Sequence, residues 1–191
     1  MSNFTVLIDL DSTVYDLLTP WMEWYNKHYN DTFKVSDIKK WAWNEIVKPE
    51  CGTKIYSFLN KKGMYSSLQP FPGALEAIKK VHDEGIKQIF CSTIIGNTGA
   101  KEKVEAVERD FPYLGKAAVV LVGKDKNLVK GDVLVDDGPH NLVGFDGYKV
   151  LVNLQNAPYV YEHACNPDAI LSTWEDYPDI INNLKGNKWQ K

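Results

Sequence analysis

From residue 86 onward the chain alternates between short apolar runs and stretches long enough for a helix, and this alternation restricts the fold more than any other feature. Residues 86–91, 117–122, 132–135 and 148–152 read as strands. Residues 101–111 read as an amphipathic helix with Val104, Val107 and Phe111 on one face. Strands joined by helix-length connections cannot pair as hairpins, so they are expected to form a parallel sheet flanked by helices. An earlier apolar run over 4–8 supplies a first strand. Beyond the turn at 69–73, Ala74, Ala77, Ile78 and Val81 mark a helix ending near Gly85, a residue suited to the left-handed backbone of a C-cap. Trp174, Ile180, Ile181 and Leu184 mark a closing helix.

Between the first strand and that turn the alternation breaks. Leu17, Leu18, Trp21, Met22, Trp24, Tyr25 and Tyr29 recur at helical spacing, and 36–43 and 53–59 read as two further short helices. The expected architecture is a Rossmann-like α/β core built from residues 1–14 and 69–191, with a small helical cap, 15–68, inserted after the first strand. Most of the aromatic stripe in this insertion is expected to pack the cap.

A chain of 191 residues suffices for such a core and a modest insertion. The net charge of −3, with lysines dispersed among acids, argues against a long nucleic-acid partner and favours a small anionic ligand. Three cysteines (Cys51, Cys91, Cys165) without a Cys-x-x-Cys pair indicate neither a disulfide framework nor a zinc site, and fit a reducing cytoplasm. The N-terminus lacks the basic and apolar regions of a signal peptide, and no apolar run reaches the ~18–20 residues that span a bilayer, so a soluble protein without membrane contact is expected. The oligomeric state stays open, a homodimer being one option.

The chemistry concentrates in two acidic turns. Asp9-Leu10-Asp11-Ser12-Thr13 leaves the first strand, and Asp136-Asp137-Gly138-Pro139 leaves the 132–135 strand. Open parallel sheets bind ligands at the carboxyl ends of their strands, so both turns face one crevice. Carboxylates that converge there repel one another unless a proton or a cation intervenes, and a hard divalent ion such as Mg²⁺ resolves the conflict. Cys91-Ser92-Thr93 ends another strand and offers hydroxyls and backbone N–H groups to an anion. Lys126, in the loop after the 117–122 strand, offers a point charge. His140 reads as a solvent-exposed loop histidine and Cys91 as an inert buried thiol.

These four features, in this order, resemble the motifs of the haloacid dehalogenase superfamily. More narrowly, 68–77, Phe90-Cys91-Ser92-Thr93, Lys103 and Asp125-Lys126 resemble the 5′(3′)-deoxyribonucleotidase family. The resemblance implies a Mg²⁺-dependent phosphatase of small phosphomonoesters, nucleoside monophosphates in particular. It implies Asp9 as the nucleophile that becomes an aspartyl-phosphate and Asp11 as the acid–base, with its backbone carbonyl on the metal. Asp137 is implied as a metal ligand backed by Asp136, and Ser92, Thr93, Lys126 and Lys103 as phosphate binders. Trp41 and Trp43 are candidates to stack a base. Other readings are a phosphatase of a different small metabolite, one acting on a nucleic-acid 3′-phosphate end, and a non-catalytic module on the same fold. The presence of both Asp9 and Asp11 argues against the last, and the absence of Gly-x-x-x-x-Gly-Lys-[Ser/Thr] argues against a P-loop enzyme. In the resembled family Gly stands at the position of Ser12, Pro at Ile94, Arg at Gly138 and an aromatic residue at Leu17.

Overall fold

The computed structural model describes residues 4–94, 96–115 and 118–188. Six strands form one parallel sheet: β1 (Thr5–Ile8), β2 (Lys87–Thr93), β3 (Val119–Val122), β4 (Val133–Asp136), β5 (Tyr148–Val152) and β6 (Ala169–Leu171), in the spatial order β3-β2-β1-β4-β5-β6. Val6, Leu7 and Ile8 are all fully buried. Successive strand residues point to opposite faces, so both faces of β1 are covered, as a parallel sheet requires. Ile8 stands level with Phe90 of β2 and Val135 of β4, which brings the ends of the three strands side by side. Strand order reverses at β1, and a crevice opens between β1 and β4 at that switch point.

The helices are α1 (Leu18–Tyr29), α2 (Met64–Ser67), α3 (Ala74–Asp83), α4 (Gly96–Asp110), α5 (Pro139–Leu142) and α6 (Tyr177–Lys188). On the core side, α3 buries Ala74, Ala77, Ile78 and Val81 and packs against α6. The Tyr177 hydroxyl, at the start of α6, donates to Gln88 Oε1 of β2 at 2.8 Å. Among the described residues no helix is long and apolar enough to cross a membrane.

The strand expected at 86–91 runs on to Thr93, so Ser92 and Thr93 lie inside β2 rather than beyond it. The one expected at 132–135 is shifted to end on Asp136. Of the strand expected at 117–122, Val119–Val122 is observed and Ala117 lies outside the described residues. β6 escaped the sequence reading because it is a three-residue edge strand with Ile170 turned outward.

Residues between β1 and α3 carry α1, three 3-10 segments (Val35–Asp37, Trp43–Glu45, Gly52–Asn60) and α2. The expected helix over 36–43 is therefore corrected to two short turns. Asp37 takes the Lys34 N–H at 2.9 Å and closes the first turn on itself, and Ile38 (ψ 81°) leaves helical backbone to become fully buried. The aromatic residues do pack this insertion: Trp21 and Trp43 stack with centroids 4.1 Å apart, and Trp21 Nε1 donates to the Ile55 carbonyl at 2.8 Å.

Two strips of chain connect the insertion to the sheet. They run side by side, with Phe71 N–H donating to Val14 O at 2.8 Å and Asp16 N–H to Gln69 O at 3.0 Å. A second tie comes from α4. The buried Glu102 carboxylate accepts the N–H groups of Gly63 (2.7 Å), Tyr65 (3.0 Å) and Ser66 (3.3 Å) around the start of α2. A carboxylate there satisfies donors that have no partner within the helix. Glu102→Ala should strip these donors of their acceptor at a cost of about 1–3 kcal/mol. Amide exchange would then accelerate at Gly63, Tyr65 and Ser66 and stay slow in β1, and unchanged exchange at these amides would count against the tie.

Candidate active site

The site is built from the ends of β1, β2 and β4 and from α4. Asp9 continues β1, its N–H donating to Val135 O at 2.9 Å, and its carboxylate is buried. The chain then turns sharply, with Ser12 N–H donating to Tyr15 O at 2.8 Å and Ser12 in the left-handed region at φ 55°. That conformation favours glycine, which explains the family's usual residue there; the serine carries the strain of a Cβ. Trp174 Nε1 donates to the Thr13 carbonyl at 3.2 Å and holds the turn from below.

Two buried lysines bind this acidic centre. Lys126 Nζ lies 2.6 Å from Asp9 Oδ1 and 2.7 Å from Asp136 Oδ2. Burial alone would depress this ammonium, but Asp136 and Asp9 overcome the penalty and hold its pKa above the usual lysine value. Lys103, on α4, donates to Asp11 Oδ2 at 2.6 Å, Ser92 Oγ at 3.0 Å and the Thr93 carbonyl at 2.8 Å. Its ammonium also sits 4.6 Å from the centroid of the Tyr65 ring, a contact between α4 and the insertion.

The second acidic turn completes the cluster. Asp136 Oδ1 accepts Gly138 N–H at 2.8 Å and Asn141 Nδ2 at 2.9 Å. Asp137 accepts from Tyr159 OH and, at 3.4 Å, from Thr13 Oγ1. Burial pushes Asp136 up to about 6 against the pull of Lys126, and burial with the adjacent Asp136 and Asp9 charges raises Asp137 well above the carboxylate range. Oxygens of Asp9, Asp136 and Asp137 all lie within 4.8 Å of one another. Counting Asp11, four carboxyl groups meet two ammonium groups, so the fully ionised cluster would carry two negative charges in excess, which fits the upward pKa shifts. Asp9 Oδ1 and Asp11 Oδ1 are buried without a hydrogen bond, the former meeting Lys126 only as an ion pair. An all-oxygen donor set with a twofold charge deficit fits a hard divalent cation.

A cavity of about 420 Å³ opens above this cluster. Asp9, Asp11, Thr93, Lys126 and Asp137 form its floor, and Trp41 and Trp43 of the insertion stand on its wall. Ser92 and Lys103 are buried behind Asp11 instead, the Ser92 hydroxyl already engaged by the lysine. Trp43 is buried against Trp21, whereas Trp41 is 43% exposed. His140 is exposed, as expected, yet its ring meets Trp41 edge-on at 4.4 Å and lines the cavity, and burial followed by the nearby Lys126 charge lowers its pKa. Cys91 is fully buried and its thiol is pushed up to about 11 by burial, which suits an inert role.

Asn141 and Tyr159 were not found in the sequence. Asn141 had a signal, four residues past Asp137 on a short helix; Tyr159 had none, because it arrives from the distant β5–β6 connection. At Gly138 a Cβ would stand 2.8 Å from Asn141 Nδ2 and 2.9 Å from His140 Cε1, so the glycine follows from how closely these side chains crowd the turn.

The family model described as "5' nucleotidase, deoxy (Pyrimidine), cytosolic type C protein" matches residues 3–186. The chain belongs to this family. It is similar to a 5'(3')-deoxyribonucleotidase of Clostridium acetobutylicum, 36% identical over 154 residues that span 79% of this chain and 82% of the relative. A 5'(3')-deoxyribonucleotidase of Bacillus subtilis is 27% identical over 146 residues, 76% of this chain and 83% of the relative. Among solved structures, a haloacid dehalogenase family hydrolase of Deinococcus radiodurans, with bound phosphate and sodium, superposes with a TM-score of 0.59 at 11% identity, covering 97% of this chain and 98% of that one. Family membership makes the chain a phosphatase with a haloacid dehalogenase-like α/β fold.

The raised carboxyls of the phosphatase carry a stability prediction. A group whose folded pKa exceeds its unfolded value holds more protons in the folded state, so its stabilisation is present at low pH. For Asp136 that stabilisation is lost as pH rises from 3.8 through about 6, and for Asp137 it is likewise lost as pH rises above the ordinary carboxylate range. Asp137→Asn should therefore raise the melting temperature of metal-free protein at pH 8 by a few degrees, about 1 kcal/mol corresponding to ~2–4 °C in a chain of this size. At pH 4 it should change little. Calorimetry in EDTA at the two pH values checks this; equal shifts at both would contradict it.

Proposed function

We propose that this phosphatase hydrolyses nucleoside monophosphates, with Asp9 as nucleophile and Asp11 as acid–base. The reading rests on one observation: a buried, lysine-paired aspartate at the end of the central strand opens into a cavity whose opposite wall is aromatic. The family and its deoxyribonucleotidase relatives support the substrate class.

In this reading an Asp9 oxygen attacks phosphorus in line, the bond from phosphorus to the ester oxygen breaks, and an aspartyl-phosphate forms. Asp11 gives its proton to the leaving alkoxide, then takes one from the water that hydrolyses the acyl-phosphate. Burial raises the Asp11 carboxyl against the opposing charge of Lys103, which favours a form with a proton to give. Lys126 and Thr93, with Lys103 and Ser92 behind them, neutralise and orient phosphate oxygens. Asp9, Asp137 and the Asp11 backbone carbonyl, backed by Asp136, would hold Mg²⁺. When bound, the ion cancels repulsion between the nucleophile and the phosphate.

Residues 15–68 act as the cap over 1–14 and 69–191, and Trp41 stacks the base while Trp43, stacked on Trp21, packs the cap beside the same cavity. Three unpaired, buried cysteines are consistent with a cytoplasmic setting.

Asp9→Asn should abolish phosphate release while leaving a folded protein, since an amide cannot form the acyl-phosphate. Trp41→Ala should lower kcat/KM for deoxynucleoside monophosphates roughly 5–150-fold, a stacked base being worth ~1–3 kcal/mol, and barely affect a phosphoester lacking a base. Trp43→Ala should also lower the melting temperature. A phosphate-release screen over nucleotides and sugar phosphates with Mg²⁺ tests the reading; turnover by the Asp9→Asn protein would refute the nucleophile.

A further inference from the structure

The geometry points to Tyr159 as a positioning residue that sets the Asp137 carboxylate for a metal ion and seats the Trp41 loop against the same site. The inference rests on the metal reading above.

Tyr159 lies in the 3-10 segment Pro158–Tyr161 of the β5–β6 connection, far in sequence from every motif. It is buried, and three of its contacts point in different directions. Its hydroxyl donates to Asp137 Oδ2. Its backbone N–H donates to the Ile38 carbonyl of the insertion at 2.9 Å. Its ring meets Trp41 edge-on, with centroids 5.5 Å apart. Three residues on, Glu162 Oε2 accepts the Trp41 N–H at 2.6 Å, so one short segment clasps the loop at Ile38 and at Trp41.

The segment is itself anchored to the sheet. Asn153 donates through its N–H to Leu171 O of β6 at 2.9 Å, accepts Ala157 N–H at 3.0 Å, and donates to Tyr161 OH at 3.1 Å. Tyr159 is thus held from below, and its hydroxyl position is determined by the core.

Asp137 needs such a partner. It is buried beside Asp136 and Asp9, and its other oxygen has only the long 3.4 Å contact with Thr13 among the described residues. Without a donor the carboxylate would rotate about its Cβ–Cγ bond to relieve repulsion. A donated hydrogen bond fixes one oxygen and leaves the other directed by the core, as hydrogen-bonded ligating carboxylates are in metal sites. With its proton committed to Asp137, the hydroxyl acts through that residue and is not itself catalytic.

The test separates the two halves. Tyr159→Phe removes only the hydroxyl and keeps the ring and backbone contacts. Titration of the substrate-free protein with Mg²⁺ in a calorimeter, well below the melt, should show roughly 10–100-fold weaker binding. At saturating Mg²⁺ the KM for a deoxynucleoside monophosphate should stay within about twofold of wild type, as the ring contact predicts. Glu162→Ala should do the converse, raising that KM while leaving Mg²⁺ affinity unchanged. Wild-type Mg²⁺ affinity in Tyr159→Phe, whatever its melting temperature, would overturn the inference and leave the metal reading standing. Absence of Mg²⁺ binding by the wild type would overturn both.

Discussion

Lys126 stands between Asp9 and Asp136 with one ammonium and two carboxylates, all buried. The carboxylates come from the ends of two adjacent parallel strands, and their repulsion would splay those ends if nothing bridged them. A buried ion set of this kind costs desolvation energy, and breaking it by removing one partner typically costs 3–5 kcal/mol because the others are left uncompensated. Hydrogen bonds from Gly138 and Asn141 satisfy the remaining oxygen of Asp136. The result is an aspartate held in place on a rigid sheet, which is what the proposed role of Asp9 in phosphoryl transfer requires of a protein that does little covalent chemistry itself.

Lys103 performs a related task on the other side. By reaching from α4 to Asp11, Ser92 and Thr93, it binds the turn after β1 to the end of β2. Its neighbour Glu102 points the other way and holds the start of α2. Two consecutive side chains on α4 therefore join the acidic turn, the second strand and the insertion. The insertion is also fixed by its paired connecting strips and by the Pro158–Tyr161 segment. Its aromatic wall consequently keeps a defined position above Asp9.

The acidic residues were legible because their signal is local. Asp9 and Asp11, and Asp136 and Asp137, each sit within a few residues of a β-branched run, and strand ends in a parallel sheet face one crevice. Lys103 was legible through family resemblance, and its place behind Asp11 was not. The expected helix over 36–43 failed because the apolar spacing there serves the burial of Ile38 and Trp43 against other elements, which a periodicity count cannot distinguish from a helix face.

What the sequence determined by itself is the parallel α/β core, the helical interruption after the first strand and the two acidic turns, since each depends on residues close together in the chain. Tertiary structure alone decided that Lys126 bridges Asp9 and Asp136, that Ser92 serves Lys103 beneath the cavity floor, and that Tyr159 reaches Asp137. These pairings join residues 10 to 117 positions apart, Lys126 and Asp136 the nearest and Lys126 and Asp9 the farthest. Hydrogen bonds and ion pairs act over a few ångströms in space, so their partners are chosen by how strands and helices pack, not by proximity along the chain.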